Sequence, residues 1–386
     1  RHHLHAAFSD CRARGVSLLT HGNKWSRVVA TRDRRHRSTD GPMKAYSRQV
    51  PPVIPTLLIG AAGAILFYLV GFPAAAVTGP ATTVAAATLL GVRTQIPPRL
   101  CDIIFIVIGA QIGSTVTPDV ISAAMTWPLS LMVLTLTLIA IMVVVPLCLR
   151  LLFGHRPVTA FLSAAPGHLT FTLGLAADLK ADVPQVVLIQ TVRVFLLTLM
   201  VPVLISLWGI TGTATFAGQG TSSAADLVLV LLLALAVGLG LKRLAVPAPL
   251  LIGAMAVSAI THGTGLVSGV APNWMTMAAF VGMGALIGTR FGGVDRSLLK
   301  SAFVAGLLST VVGCIIAAIG AYIASRLIGL PPAALFLAFA PGGVEVMAAL
   351  AIETGLEPAL VAAHHVFRLT VLGILLPIFA LRYRRD

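Results

Sequence analysis

The chain has 386 residues, of which 57% are apolar and only 10% charged, with a mean hydropathy of +0.96. That composition lies well outside the range of soluble domains and excludes a soluble globular enzyme or a separate DNA-binding module. The formal net charge is +14, and in an integral membrane protein an excess of Lys and Arg first marks the loops that face the cytoplasm.

Residues 1–50 form a basic N-terminal extension, with nine Lys/Arg against three Asp/Glu in residues 1–42 and no apolar periodicity. Disorder is the expectation for such a stretch, and Met43 is a candidate initiator. The run Arg32, Arg34, Arg35, Arg37 lacks any nucleic-acid-binding motif, so nucleic acid is not an expected partner. Lys44 and Arg48, the apolar run to Val70 and Ala74-Ala75-Ala76 also fit a cleavable signal peptide. The repeat described next argues against cleavage, because this run is the first helix of a unit that recurs.

Six apolar segments follow, near 53–71, 73–91, 100–116, 127–152, 157–177 and 184–208, and six more near 226–241, 247–264, 273–289, 300–325, 331–352 and 357–381. A shift of 175 residues lays Gly109-Ala110-Gln111-Ile112-Gly113 on Gly284-Ala285-Leu286-Ile287-Gly288, and Ala165-Pro166-Gly167 on Ala340-Pro341-Gly342. It also pairs Asp178 with Glu353, Asp182 with Glu357, Arg193 with Arg368 and Pro202 with Pro377. Two unrelated apolar helices share Leu and Ala by chance; matched Pro-Gly, acid and Arg at one offset point to duplication. The expected organisation is a membrane repeat over 51–208, a linker over 209–225, a second repeat over 226–381 and a basic tail over 382–386.

Charge placement tests the topology. Twelve crossings would put Lys242, Arg243, Arg290, Arg296 and Lys300 outside, against the positive-inside rule. If the Pro-Gly segment of each unit fails to cross, those residues, Arg93, Arg99, Arg150, Arg156, Lys180 and the Arg382/Arg384/Arg385 tail become cytoplasmic, leaving Arg326 outside. The predicted fold is thus an all-α polytopic membrane protein of two repeats in inverted orientation, each with about five crossings plus a Pro-Gly-broken segment. Both termini then lie in the cytoplasm, with the bilayer of the bacterial inner membrane as the first partner.

The polar residues inside the apolar segments are the candidate site. Pro166-Gly167 and Pro341-Gly342-Gly343 interrupt equivalent segments, and backbone freed in that way must be buried in protein or line a wet cavity. Arg193 and Arg368 lie deep in apolar runs, where a charge is costly and normally faces the interior. Gln190 stands three residues before Arg193, and His365 and His364 three and four before Arg368, so each group shares a helix face. Glu345 follows the second break within one turn, while its counterpart is Thr170. Glu345 and Glu353, with Asp178 and Asp182 in the first half, are the candidate counterions; an arginine that holds the carbonyls of the broken segment is the alternative. Asp178, Asp182, Glu353 and Glu357 otherwise fit a solvated position at the membrane interface. Cys11, Cys101, Cys148 and Cys314 lack metal-type spacing, and His155, His168, His262, His364 and His365 form no HExxH or related pattern, so neither metal nor cofactor is expected.

The tandem A-P-G-(G) breaks, the Ala-rich segment after each, the acidic turns Ala181-Asp182-Val183 and Leu356-Glu357-Pro358 and the following single-Arg segments resemble the AbrB membrane family over about 51–381, most specifically at Ala340 to Ala351. One departure is visible: the family carries its acid immediately before the Met of the second motif, whereas here Val346 precedes Met347 and the acid is Glu345. The family's labels imply regulation of gene expression or oxidation of ammonia; no copper or iron ligand set supports the latter. The residues themselves favour a non-enzymatic, transporter-like protein that binds or moves a small solute, an anionic one in preference, between two inverted repeats. A membrane sensor or regulator is the alternative, a membrane monooxygenase the third class, and a homo-oligomer is compatible with each.

Overall fold

The computed structural model describes residues 52–383 except 168, 210–219, 245 and 295. The basic extension with Met43 and Cys11, most of the linker, His168 and the last three residues of the tail therefore lie outside the described residues.

The first half contains α1 (Val53–Leu69), α2 (Ala75–Leu89), α3 (Pro98–Gly113), a short α4 (Pro118–Ala123) with a 3-10 turn, α5 (Trp127–Phe153), α6 (Pro157–Ala164), α7 (Leu169–Asp178) and α8 (Val183–Leu207). The second contains α9 (Ala224–Arg243), α10 (Pro249–Gly263), α11 (Asn273–Thr289), α12 (Arg296–Ile328), α13 (Pro332–Phe339), α14 (Val344–Thr354) and α15 (Pro358–Tyr383). Proline at the first or second helical position starts α3, α6, α10 and α13, where the missing N–H costs nothing. Among the described residues no β-strand is present.

Five helical stretches, Val120–Phe153, Val183–Leu207, Ala224–Arg243, Ser297–Ile328 and Pro358–Ile378, are long and apolar enough to cross a membrane. Their outer faces are as apolar as the interior. Helix α9 buries only Val230, Ala234 and Gly238 and leaves Val228, Leu229, Leu232 and Leu233 exposed. Helix α12 likewise exposes Val304, Ile315, Ile319 and Tyr322. A helix apolar on every side belongs in lipid, so the chain is an all-α multi-pass membrane protein.

Helices from opposite ends of the chain meet through glycine. Cβ atoms placed on Gly109 and Gly113 of α3 would fall 2.4 and 2.5 Å from the carbonyls of Leu251 and Met255 in α10. Cβ atoms on Gly284 and Gly288 of α11 would fall 2.3 and 2.9 Å from the carbonyls of Val77 and Ala81 in α2. Only glycine permits such backbone approach, the mode of helix association available where lipid supplies no hydrophobic drive. The G-A-x-I-G motifs thus act as paired contact faces.

Both Pro-Gly segments are broken where the sequence places the interruption. The residue before proline is driven out of the helical region; Ala165 and Ala340 leave α6 and α13 with ψ of 116° and 137°. Gly167 then takes φ +89°, a conformation that L side chains rarely adopt. The chain resumes as α7 and α14, and Pro341 packs under Gly313 of α12. The halves differ in one respect: every residue of α14 except Glu345 is buried, whereas α7 exposes Gly174, Ala177 and Asp178.

Candidate functional site

Breaking a helix strands the carbonyls of its last turn, which have no N–H above them and carry the negative end of the helix dipole. In both broken segments these carbonyls are collected by arginine. Arg193 Nη1 donates to Ser163 O and Ala164 O at 3.1 and 3.0 Å, and Nη2 to Ala165 O at 2.8 Å. Arg368 Nη1 donates to Ala340 O at 2.6 Å and Nη2 to Gly342 O. The arginines are 2% and 1% exposed.

A second clasp lies one turn earlier. Gln190 Nε2 donates to Leu162 O at 2.8 Å, and His365 Nε2 donates to Leu337 O at 3.0 Å. A carbonyl only accepts, so this contact puts the His365 proton on Nε2 and leaves Nδ1 as a lone-pair acceptor. Gln190 and His365 are 175 positions apart, as are Leu162 and Leu337, Arg193 and Arg368, and Ala165 and Ala340.

The two clasps meet. A Cβ on Gly167 of the first break would stand 3.5 Å from Nη2 of Arg368 and 3.2 Å from Cδ2 of Leu369. Arg193 and Arg368 act on one another electrostatically, and Cys314 of α12 lies within range of Arg193. Pro166, Gly167, Gln190, Arg193, Pro341, Gly342, His365 and Arg368 therefore form one buried crossing of two interrupted segments. Thr170 lies on α7, and its side chain is outside the described residues.

Several expectations are corrected. The arginines take carbonyls rather than carboxylates as partners: the Glu345 carboxylate folds back over Gly343, within 3.4 Å of the position of its Cβ, and reaches Arg368 only as an unbonded charge. Glu353 is no counterion either, nor is it solvated at the membrane surface. It is 8% exposed, and its Oε1 accepts from the N–H of Ala76 at 2.8 Å, capping α2 where that helix starts from the left-handed Ala74, φ +53°. Asp182 caps α8 by accepting from Gln185 N at 3.2 Å, while Asp178 and Glu357 are exposed. His364 leaves the crossing, with Nε2 2.8 Å from Ser130 Oγ and Nδ1 2.9 Å from Leu360 O, beside Trp127 and Phe339.

Two polar groups were not singled out in the sequence. Ser163 is fully buried and its Oγ makes no hydrogen bond among the described residues; an isolated serine in an apolar helix carries no signal. Gln111 is also fully buried, reached weakly by Thr276 at 3.4 Å, with Nε2 unbonded. Its position inside the repeated glycine motif, opposite Leu286, could have marked it. Among the described residues no three of His, Cys, Asp and Glu are grouped closely enough to hold a metal ion.

Residues 77–383 match the family described as transition state regulatory protein AbrB. The chain is 30% identical over 272 residues to "Uncharacterized protein YhjN" of Bacillus subtilis (strain 168), covering 62% of this chain and 69% of that protein. It is 25% identical over 312 residues to "Putative regulator AbrB" of Escherichia coli (strain K12), covering 78% of this chain and 88% of that protein.

Proposed function

We propose that this chain, which belongs to the AbrB family, works as a non-enzymatic, transporter-like protein of the bacterial inner membrane, carrying a small solute between two inverted repeats. The crossing of the two Pro-Gly breaks is the solute site. The observation that carries the reading is the equivalence of the clasps: Gln190 and Arg193 of α8 hold the end of α6, and His365 and Arg368 of α15 the end of α13, at one offset of 175 residues, brought into contact at Gly167. The swapped glycine contacts of α3 with α10 and of α11 with α2 support the same duplication. Irregular backbone at membrane depth, buried between related halves, is how secondary transporters build solute sites. A purely mechanical role for the arginines would require only that each lock its own segment, not that the two locks touch.

Reconstitution into vesicles tests the reading: uptake of a radiolabelled solute, lost in Arg193→Lys and Arg368→Lys, is expected. Thiol labelling at Lys242→Cys and Lys300→Cys should come from the cytoplasmic side; labelling of either from outside intact cells overturns the inverted arrangement. The E. coli relative's name favours a second reading, a membrane sensor that binds a solute and signals to a regulator. Specific solute binding without flux would select it.

A further inference from the structure

The two arginines are supplied with fewer acceptors than they can use. Their five hydrogen bonds among the described residues, all to carbonyl oxygens, engage roughly half of the N–H groups that two guanidiniums carry. In both residues Nε is buried and makes no hydrogen bond among the described residues. Carbonyl dipoles supply partial negative charge, not a countercharge. Glu345 is the acid that acts on Arg368, alongside Arg193, and Glu353 is spent on the N-terminus of α2. Among the described residues, two positive charges and one negative therefore meet at the crossing, which leaves one positive charge in excess beside two buried guanidiniums.

Buried charge at this depth normally has a partner, and the unpaired excess is costly. The unengaged edges are chemically specific: the Nε side of a guanidinium presents planar, parallel N–H donors that match the two oxygens of a carboxylate. Arg193 also holds the carbonyl of Ser163, a residue whose buried Oγ makes no hydrogen bond among the described residues and so keeps a donor to offer. Leu369 and Pro341 supply apolar walls next to Gly167 and Arg368.

We infer that the crossing binds a small organic monoanion by its carboxylate, held by the free Nε edges of Arg193 and Arg368 with Ser163 Oγ as an additional donor. This deepens the reading of the crossing as the solute site and rests on it. One negative charge balances the local excess; a dianion or a cation would not.

The test uses the full chain in lipid nanodiscs, followed by thermal unfolding at fixed ionic strength. Acetate and propionate are the probes, with chloride, inorganic phosphate and methylammonium as the discriminating arms. A saturable rise of the unfolding midpoint is expected with the two carboxylates, at least tenfold weaker apparent affinity for chloride and phosphate, and no response to methylammonium. Arg193→Lys and Arg368→Lys, which keep charge but lose the planar fork, should each weaken acetate binding at least tenfold while retaining the wild-type circular dichroism spectrum. A response shared equally by chloride and phosphate, a response to methylammonium, or lysine variants that bind acetate as the wild type does would each overturn the inference. Should a lysine variant fail to fold, the wild-type arms decide alone. Acetate binding without flux through vesicles would sink transport and leave this site standing; flux of a neutral or cationic solute with no carboxylate response would do the reverse.

Discussion

Glu353 and Ala76, 277 positions apart in the chain, are joined by a 2.8 Å hydrogen bond from the Ala76 N–H to the Glu353 Oε1. One carboxylate thereby ties the helix after the second break to a helix that starts from a left-handed alanine in the first half. Its other oxygen, Oε2, is buried and makes no hydrogen bond among the described residues.

Removing this cap should be felt across the protein. Glu353→Ala leaves first-turn N–H groups of α2 without their acceptor, a loss of about 1–2 kcal/mol by analogy with N-cap deletions. Glu353→Gln keeps an acceptor oxygen but not the charge that the helix N-terminus favours, so it should fall between wild type and Ala. Thermal unfolding in detergent orders the three; equal stability of Ala and wild type would deny the cap its role.

Arg193 and Arg368 should be equivalent in their structural duty, since each holds the stranded carbonyls of one short helix. Arg193→Ala removes three charge-assisted hydrogen bonds and Arg368→Ala two, and each leaves buried carbonyls unpaired, a destabilisation on the order of 3–5 kcal/mol. Lysine should restore part of that, because it donates but cannot span two or three carbonyls. A marked inequality between the two alanine variants, read from unfolding midpoints, would show that the clasps do not carry equal loads.

The glycine crossings give a prediction with its own control. Gly109→Ala and Gly284→Ala each push a methyl group to 2.4 and 2.3 Å from a carbonyl of the neighbouring helix, so each should cost about 1–3 kcal/mol. Gly240→Ala on α9, where nothing lies within 4 Å, should be neutral or slightly stabilising. The comparison needs only expression level and thermal midpoint of three single variants.

Acid should weaken the α5–α6 turn. His155, between those helices and stacked on Phe153, has its pKa lowered below 6.5 chiefly by burial, against smaller opposing effects from Gln185 and Asp182. A histidine with a depressed folded-state pKa favours the neutral form, so its contribution is present above pH 6.5 and lost as pH falls through the lower, folded value. Protease susceptibility of this turn should rise on acidification below pH 6.5, and less so in His155→Gln. An identical acid response in the variant would assign the effect elsewhere.

Much of this was legible in the sequence because it rests on residues that are costly in an apolar helix. Proline and glycine in mid-segment marked both breaks, and a lone arginine in each following segment marked its partner. The roles of the acids were not legible. Glu353 and Asp178 occupy matching positions, yet one is buried against α2 and the other is exposed, because α14 is enclosed everywhere but at Glu345 and α7 is not. Spacing along a chain says which residues share a helix face, not which distant helix end will lie opposite. For the same reason His364 and His365, adjacent in sequence, were grouped with Arg368 although about 100° of helix rotation separates them, and only His365 faces the break.

The exchange of glycine contacts between α3 and α10 and between α2 and α11 also governs how the protein can be made. Helices α2 and α3 leave the ribosome first, but the surfaces that close on Gly109 and Gly113, and on Val77 and Ala81, belong to segments translated more than a hundred residues later. The early half must therefore wait in the bilayer with backbone-deep grooves uncovered, and it reaches its final packing only when α11 has been inserted. Synthesis that stops at the linker would leave a fragment with two open seams and no means of closing them, a substrate for membrane quality control. Two separately translated halves, by contrast, carry complementary seams and should find one another.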